Sequence, residues 1–146
     1  MKKRAVYPGT FDPITLGHLD IIKRGLSLFD EIIIVVADSS DKKPLFTAGE
    51  RIEMIKEATL GLKGIVVEYF DGLMVDFAKN KNVRIILRGL RMISDFEYEF
   101  QMALTNRILS ADIETIFMMP NEKYSYISSR LIKEAASLGA DISHFV

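Results

Sequence analysis

The stretch YPGTFDPITLGHLDII, residues 7–22, holds two glycines, two prolines, two threonines and a histidine between an apolar run and an amphipathic one. A strand-to-helix turn needs one glycine and a cap, so the surplus reads as chemistry. His18, at the mouth of a helix, offers a ring N–H beside backbone donors that already attract phosphate. Gly17, with no side chain, lets a flat base or a phosphate approach the backbone. Each residue also has a plain use: Thr15 as a helix cap, Gly9 as a turn residue, His18 as a surface group. A pattern as short as Thr-x-Gly-His recurs by chance.

Arg88-Gly89-Leu90-Arg91 is a stronger signal, because an arginine ending a buried strand needs an anionic partner. Ser128-Ser129 fits a helix cap and a phosphate binder alike, since one geometry serves both. Lys42-Lys43 alone reads as a solvated loop and His144 as structural or surface. Asp95, Glu97 and Glu99 read as helix-start acids favoured by the dipole.

The elements that must position these groups follow from periodicity. Apolar runs at Ala5–Tyr7, Ile32–Ala37, Ile65–Phe70, Val83–Leu87 and Ile116–Met119 suit strands buried on both faces. Between them, Leu19, Ile22, Leu26 and Phe29 share one helical face. Thr47 and Glu50 form a capping box ahead of a helix burying Ile52, Ile55 and Leu62. Leu73, Met74, Phe77 and Ala78 mark a third helix, and Ser94 with Glu97 repeats the capping spacing before a long one from Asp95 to about Leu109. A last helix, Leu131–Leu138, is stopped by Gly139. The alternation predicts a single doubly wound, Rossmann-like α/β domain over residues 1–146, with a five-stranded parallel sheet and helices on both faces.

In such a sheet ligands bind beyond the carboxyl ends of the strands, where strand order reverses. Gly9, Thr10, Phe11 and His18 follow the first strand; Asp38, Ser39, Ser40, Lys42 and Lys43 the second; Asp71 to Met74 the third. Arg88–Arg91 follow the fourth, and Pro120 to Arg130, with three serines, the fifth. Basic and hydroxyl groups separated by glycines on one rim are the profile of a phosphate site.

Composition narrows the classes. The 146 residues suffice for one well-buried domain, and 19 basic against 20 acidic side chains argue against bulk nucleic-acid binding. Cysteine is absent, which excludes disulfides and thiolate chemistry. Only Ala5-Val6-Tyr7 separates the basic start from Pro8, too short for a signal peptide, and no run reaches membrane-spanning length. A soluble intracellular domain is expected. No GxGxxG, GxxxxGK[ST], HExxH or GxSxG occurs, which disfavours dehydrogenase, P-loop, zinc-hydrolase and serine-hydrolase readings.

Gly9-Thr10-Phe11-Asp12-Pro13-x-Thr15-x-Gly17-His18, Arg88-Gly89-Leu90-Arg91 with Asp95-Phe96-Glu97-Tyr98-Glu99, and Ile127-Ser128-Ser129-Arg130 together resemble the (H/T)xGH nucleotidyltransferases. Within them the closest likeness is to the bacterial phosphopantetheine adenylyltransferase family. The pattern spans nearly the whole chain and includes Lys42-Lys43-Pro44 and Leu73-Met74. Any one piece is weak; the ordered set is specific. The resemblance implies adenylyl transfer from ATP to 4′-phosphopantetheine, giving dephospho-coenzyme A and pyrophosphate. It further implies a cytoplasmic homohexamer, magnesium delivered with ATP, and coenzyme A as a feedback ligand, with neither nucleic acid nor membrane as partner.

Carried over by position, the resemblance implies that Thr10 touches both substrates and that Phe11 and His18 contact the nucleotide. Lys42, Met74 and Arg88 hold phosphopantetheine. Gly89, Leu90, Arg91, Glu99, Tyr124, Ser125, Tyr126, Ile127, Ser128, Ser129 and Arg130 surround ATP. Position 124 is tyrosine where the family often has tryptophan, which keeps a flat contact. The sequence ends at Val146, where relatives often continue into a short helix. The implied catalysis needs no protein base: a phosphate monoester with a second pKa near about 6 is already largely dianionic. His18 and Lys42 stabilise the transferring phosphoryl group, Thr10 orients the attacking phosphate, and Arg91 and Ser129 steady pyrophosphate. No protein ligands to a metal are expected. The alternatives are a nicotinamide mononucleotide adenylyltransferase or a cytidylyltransferase, or a non-catalytic nucleotide-binding domain on the same fold.

Overall fold

The computed structural model describes residues 2–38, 43–91 and 93–146. The elements are β1 (Arg4–Gly9), α1 (Leu16–Leu26), β2 (Glu31–Val36), α2 (Ala48–Ala58), β3 (Ile65–Tyr69), α3 (Met74–Asn80), β4 (Ile85–Gly89), α4 (Ile93–Leu109), β5 (Glu114–Met118) and α5 (Ser129–Ser137). A short 3-10 turn at Glu122–Tyr124 precedes α5. The sheet is parallel throughout, in the order β3-β2-β1-β4-β5. That is the doubly wound α/β arrangement expected, and its order reverses between β1 and β4.

Both faces of the sheet are covered, which explains the unbroken apolar strands. Ala5, Tyr7, Ile32, Ile34, Val36 and Leu87 pack with Ile21, Ile22 and Ile55 of α1 and α2. The alternate residues Val6, Ile33, Val35 and Ile86 pack with Val75, Phe77 and Ala78 of α3. Ile32 to Val36 are therefore buried whichever way they point. No described helix is long and apolar enough to cross a membrane.

Several boundaries differ from the sequence reading. β4 runs from Ile85 to Gly89 and takes in Arg88, β5 starts at Glu114, and α5 starts at Ser129 and not Leu131. The helix ends shift as well. α1 ends at Leu26, so Phe29 is buried from the following turn, with its N–H donating to the Gly25 carbonyl. Leu62 lies beyond the end of α2. The long helix starts at Ile93, which puts Ser94 inside it and not at the capping position. The Thr47–Glu50 box is present, with Thr47 Oγ1 accepting from Glu50 N and Glu50 Oε1 from Thr47 N. Gly139, at φ +87°, ends α5 as expected.

Pro8 shapes the reversal point. β1 pairs with β2 from Arg4–Glu31 to Gly9–Val36, but with β4 at Val6–Ile86. Proline has no N–H to continue the ladder toward Arg88. Instead Arg88 Nη1 donates to the Pro8 carbonyl at 2.8 Å. The strands part here, and the crevice opens.

Candidate active site

A cavity of about 350 Å³ lies outside the carboxyl ends of β1 and β4. Thr10, Phe11, Gly17, His18, Arg88, Gly89, Arg91, Glu99, Ile127, Ser128, Ser129 and Arg130 all line it. A second cavity of about 380 Å³ on the other side of the floor is lined by Met74, Ala37, Ile86, Tyr98, Met102 and Asn106. Pro8, Gly9, Thr10, Arg88 and Glu99 line both. The two spaces meet at Thr10 and Arg88. Leu90, Tyr124, Ser125 and Tyr126 flank the first cavity without lining it, and Lys42 falls outside the described residues.

The floor is built by Phe11. It sits at φ +49°, a left-handed conformation that costs a non-glycine residue about 1–2 kcal/mol. Its ring is buried against Tyr7 (centroids 5.3 Å) and His18 (4.8 Å), which offsets that cost. A Cβ on Gly9 would stand 2.8 Å from the Phe11 ring, so that glycine is required by the folded-back phenyl group.

Thr15 and His18 act as one unit. The Thr15 hydroxyl caps α1 by accepting from His18 N at 3.2 Å, while His18 Nδ1 accepts from Thr15 N at 2.9 Å. This is a capping box with imidazole in the place of Glu or Gln. Because a backbone N–H only donates, Nδ1 carries the lone pair and the proton resides on Nε2. Leu16 N donates to the Phe145 carbonyl and His18 N is capped, leaving Gly17 N as the first-turn donor outside these bonds. A methyl on Gly17 would meet Thr15 Oγ1 at 3.4 Å and the Tyr124 carbonyl at 3.6 Å, ordinary contacts that the fold itself accommodates.

Burial, then the positive charges of Arg91 and Arg88, lower the His18 pKa from 6.5 to about 3. At neutral pH the side chain is an uncharged Nε2–H donor. In a His144→Gln variant, which leaves one imidazole, nitrogen NMR should show the Nε2–H tautomer throughout about pH 5–8; a midpoint near 6.5 would contradict it. The same shift has a stability consequence. The unfolded chain takes up a proton near pH 6.5 that the folded one refuses until about 3, so this contribution is whole above 6.5 and falls below it by ~1.4 kcal/mol per pH unit.

The basic groups are individually anchored. Arg88 makes a two-pronged ion pair with Glu99, Nε at 3.1 Å and Nη2 at 2.5 Å. The anionic partner expected for a strand-end arginine is thus supplied by the chain. Glu99 is buried in the second turn of α4 and is not a helix-start acid; its carboxylate is held by Arg88. Arg91 donates to the Ile127 carbonyl at 2.8 Å and lies 3.5 Å from Asp95. Ser128 caps α5 through Leu131 N, and the Ser129 hydroxyl donates to the Pro13 carbonyl at 2.8 Å. What Ser129 and Arg130 offer an anion is therefore the first two N–H groups of α5, which have no acceptor within the helix.

Two groups that sequence reasoning passed over complete the frame. Asp12, buried, accepts from Leu45 N (2.8 Å), Phe46 N (3.0 Å) and Lys133 Nζ (2.9 Å). Burial alone would raise its pKa, but the Lys133 and backbone hydrogen bonds outweigh it and hold the carboxyl below its usual value. Arg51, also buried, donates to the carbonyls of Thr10, Phe46 and Thr47 and to Asp38. One signal for Asp12 was available: an acid inside an anion site must be neutralised by something.

Known proteins match this chain along nearly its whole length. The cytidylyltransferase-like family model matches residues 6–135. A phosphopantetheine adenylyltransferase of Syntrophus aciditrophicus is 59% identical over 95% of this chain and 84% of its own. One of Caldanaerobacter subterraneus subsp. tengcongensis is 55% identical over 97% and 89%. A Vibrio parahaemolyticus structure described as a nicotinate-nucleotide adenylyltransferase superposes with a TM-score of 0.70 at 19% identity, covering 100% of this chain and 87% of its own, and shares the fold. The crevice where β1 and β4 part and the extent of these matches lead to one conclusion: the chain belongs to the phosphopantetheine adenylyltransferase family of nucleotidyltransferase enzymes.

Proposed function

We propose that residues 1–146 form one nucleotidyltransferase domain that moves the adenylyl group of ATP onto 4′-phosphopantetheine. The products are dephospho-coenzyme A and pyrophosphate, formed by in-line attack without a covalent intermediate. The observation that carries this reading is the pair of cavities meeting at Thr10 and Arg88. A two-substrate transfer needs two binding spaces and one junction. The first, ringed by helix-start N–H groups and arginines, suits a triphosphate. The second, with Met74, Ile86 and Met102, suits a chain that is part apolar and part amide.

The attacking phosphate is already dianionic, so the work is to overcome repulsion and fix orientation. Thr10 stands at the junction and orients it. The neutral Nε2–H of His18 donates to the phosphoryl oxygens as charge develops, and Gly17 N adds a backbone donor. Arg91 and the first N–H groups of α5 at Ser129 and Arg130 hold the departing pyrophosphate. Lys42 joins them on the family resemblance.

Magnesium fits as a companion of the triphosphate. Among the described residues no group of three histidine or acidic side chains is placed to hold an ion. The acids of the first cavity are each engaged: Asp12 with Lys133, Glu99 with Arg88, and Asp95 with Arg91. When bound, the ion shields phosphate charge, and the chain's own residues grip the phosphates instead of the metal.

Self-association is supported by Phe96, Phe100, Leu104 and Ile108, four exposed apolar residues at helical spacing along α4, and its order as a hexamer is taken from the family resemblance. A cytoplasmic setting and coenzyme A as a feedback ligand of the same cavities complete the reading. Pyrophosphate release from ATP, measured with and without phosphopantetheine, tests it. Release that depends on phosphopantetheine is expected. Release with nicotinamide mononucleotide instead, or ATP binding without release, would overturn it.

A further inference from the structure

We infer that Arg51 is a positioning residue for this reaction, acting through Thr10. Its side chain is 1% exposed and uses its whole fork. Nη1 donates to the Thr10 carbonyl at 3.0 Å and Nη2 to Asp38 Oδ1 at 2.6 Å. Nε donates to the Phe46 and Thr47 carbonyls at 3.1 and 3.3 Å. Asp38 is itself fixed from the other side, its Oδ2 accepting from the Tyr69 hydroxyl at 3.0 Å. One planar cation in α2 thus ties together the loop after β1, the segment just beyond β2 and the residues that lead into α2.

The geometry has a direct bearing on the junction of the two cavities. Thr10 follows the last residue of β1, lines both spaces, and is exposed to them. Beyond Gly9, whose carbonyl accepts from Ala37 N, the sheet no longer holds the chain. The Thr10 carbonyl is held by Arg51. A lysine has one charged nitrogen and no fork, so it cannot meet Thr10, Asp38 and Phe46 together. Thr10 would then drift by a fraction of its hydroxyl's reach, enough to spoil attack geometry while leaving both cavities intact.

This rests on the reading of Thr10 as the residue that orients the attacking phosphate. The expected signature of Arg51→Lys is a fall in kcat of about 10-fold or more, with KM for ATP and for phosphopantetheine changed by less than about 3-fold. A Thr59→Ala variant controls for stability, since it removes a buried hydroxyl bond to the Ile55 carbonyl at the far end of the same helix. It should lower Tm and leave kcat alone. Asp38→Asn, which keeps Arg51 but weakens its anchor, should show the Arg51→Lys signature in milder form should the lysine variant fail to fold.

The decisive comparison is the double variant. On a Thr10→Ala background Arg51→Lys should cause no further loss of kcat, because its effect passes through the residue already removed. A full, additive loss on that background would overturn the inference, as would an unchanged kcat in folded Arg51→Lys and Asp38→Asn. If Thr10→Ala itself retains wild-type kcat, or the wild-type chain makes no pyrophosphate with phosphopantetheine, it is the reading of the reaction that fails.

Discussion

Replacing His18 with alanine lowers kcat for pyrophosphate release by about 10²-fold or more, the usual cost of removing one preorganised donor to developing charge. The imidazole is held at the neutral tautomer by Thr15 N, so Nε2–H is fixed before substrate arrives. In the unliganded site its pKa is depressed to about 3, so it meets phosphate as a dipole and not a cation, and a dipole costs little to desolvate. KM for ATP moves less, because Gly17 N, Arg91 and the α5 N-terminus still grip the phosphates. The substitution also deletes half of the α1 capping box, which costs roughly 1 kcal/mol of stability. His18→Gln separates the two effects. A glutamine at that position restores the box, so thermal denaturation should return toward wild type while the rate stays depressed. A His18→Ala enzyme with wild-type kcat would remove His18 from the mechanism.

How far the sequence disclosed the site is well illustrated by the same residue. Cap and chemistry were competing uses of Thr15 and His18 when read as letters; in the fold one capping box serves the helix and the ring, since one of its two bonds caps α1 and the other sets the tautomer. β2 was legible because a strand covered on both faces has to be apolar at every position. Pro8 was not. Its role depends on which neighbour it faces, and strand order is invisible in local pattern. Asp12 and Arg51 were passed over for a related reason: their partners lie far off, 121 residues away for Lys133 and 41 for the Thr10 carbonyl. Periodicity reports on burial of apolar faces. It says nothing about a buried charge whose neutraliser belongs to another element, and Arg51 sits in α2 four residues before Ile55, where the pattern calls for an apolar side chain.

Asp12 gives the largest expected effect on stability. Asp12→Ala leaves Leu45 N and Phe46 N without acceptors and Lys133 without its counter-charge, around a carboxyl group that is itself buried. Each orphaned donor costs about 1–3 kcal/mol, and breaking a buried pair from one side about 3–5. Lys133 is 31% exposed and can reach water, which keeps the total at the lower end, ~3 kcal/mol. Asp12→Asn is nearly as harmful despite its shape. Both carboxylate oxygens accept here, and an amide would turn its NH₂ toward one of the donors. Urea denaturation at neutral pH should show a lower midpoint for both variants. Adding Lys133→Met to Asp12→Asn should restore part of the loss, because it removes the stranded charge. The acid limb supplies an independent check of sign. The folded carboxyl lies below its unfolded value of 3.8, so its contribution is present above that value and disappears as pH falls through the folded pKa. Asp12→Asn should therefore lose less stability than wild type on acidification. An Asp12→Asn midpoint equal to wild type would mean that the carboxylate's three donors find water as good a partner, and that the buried charge adds nothing to the stability of the fold.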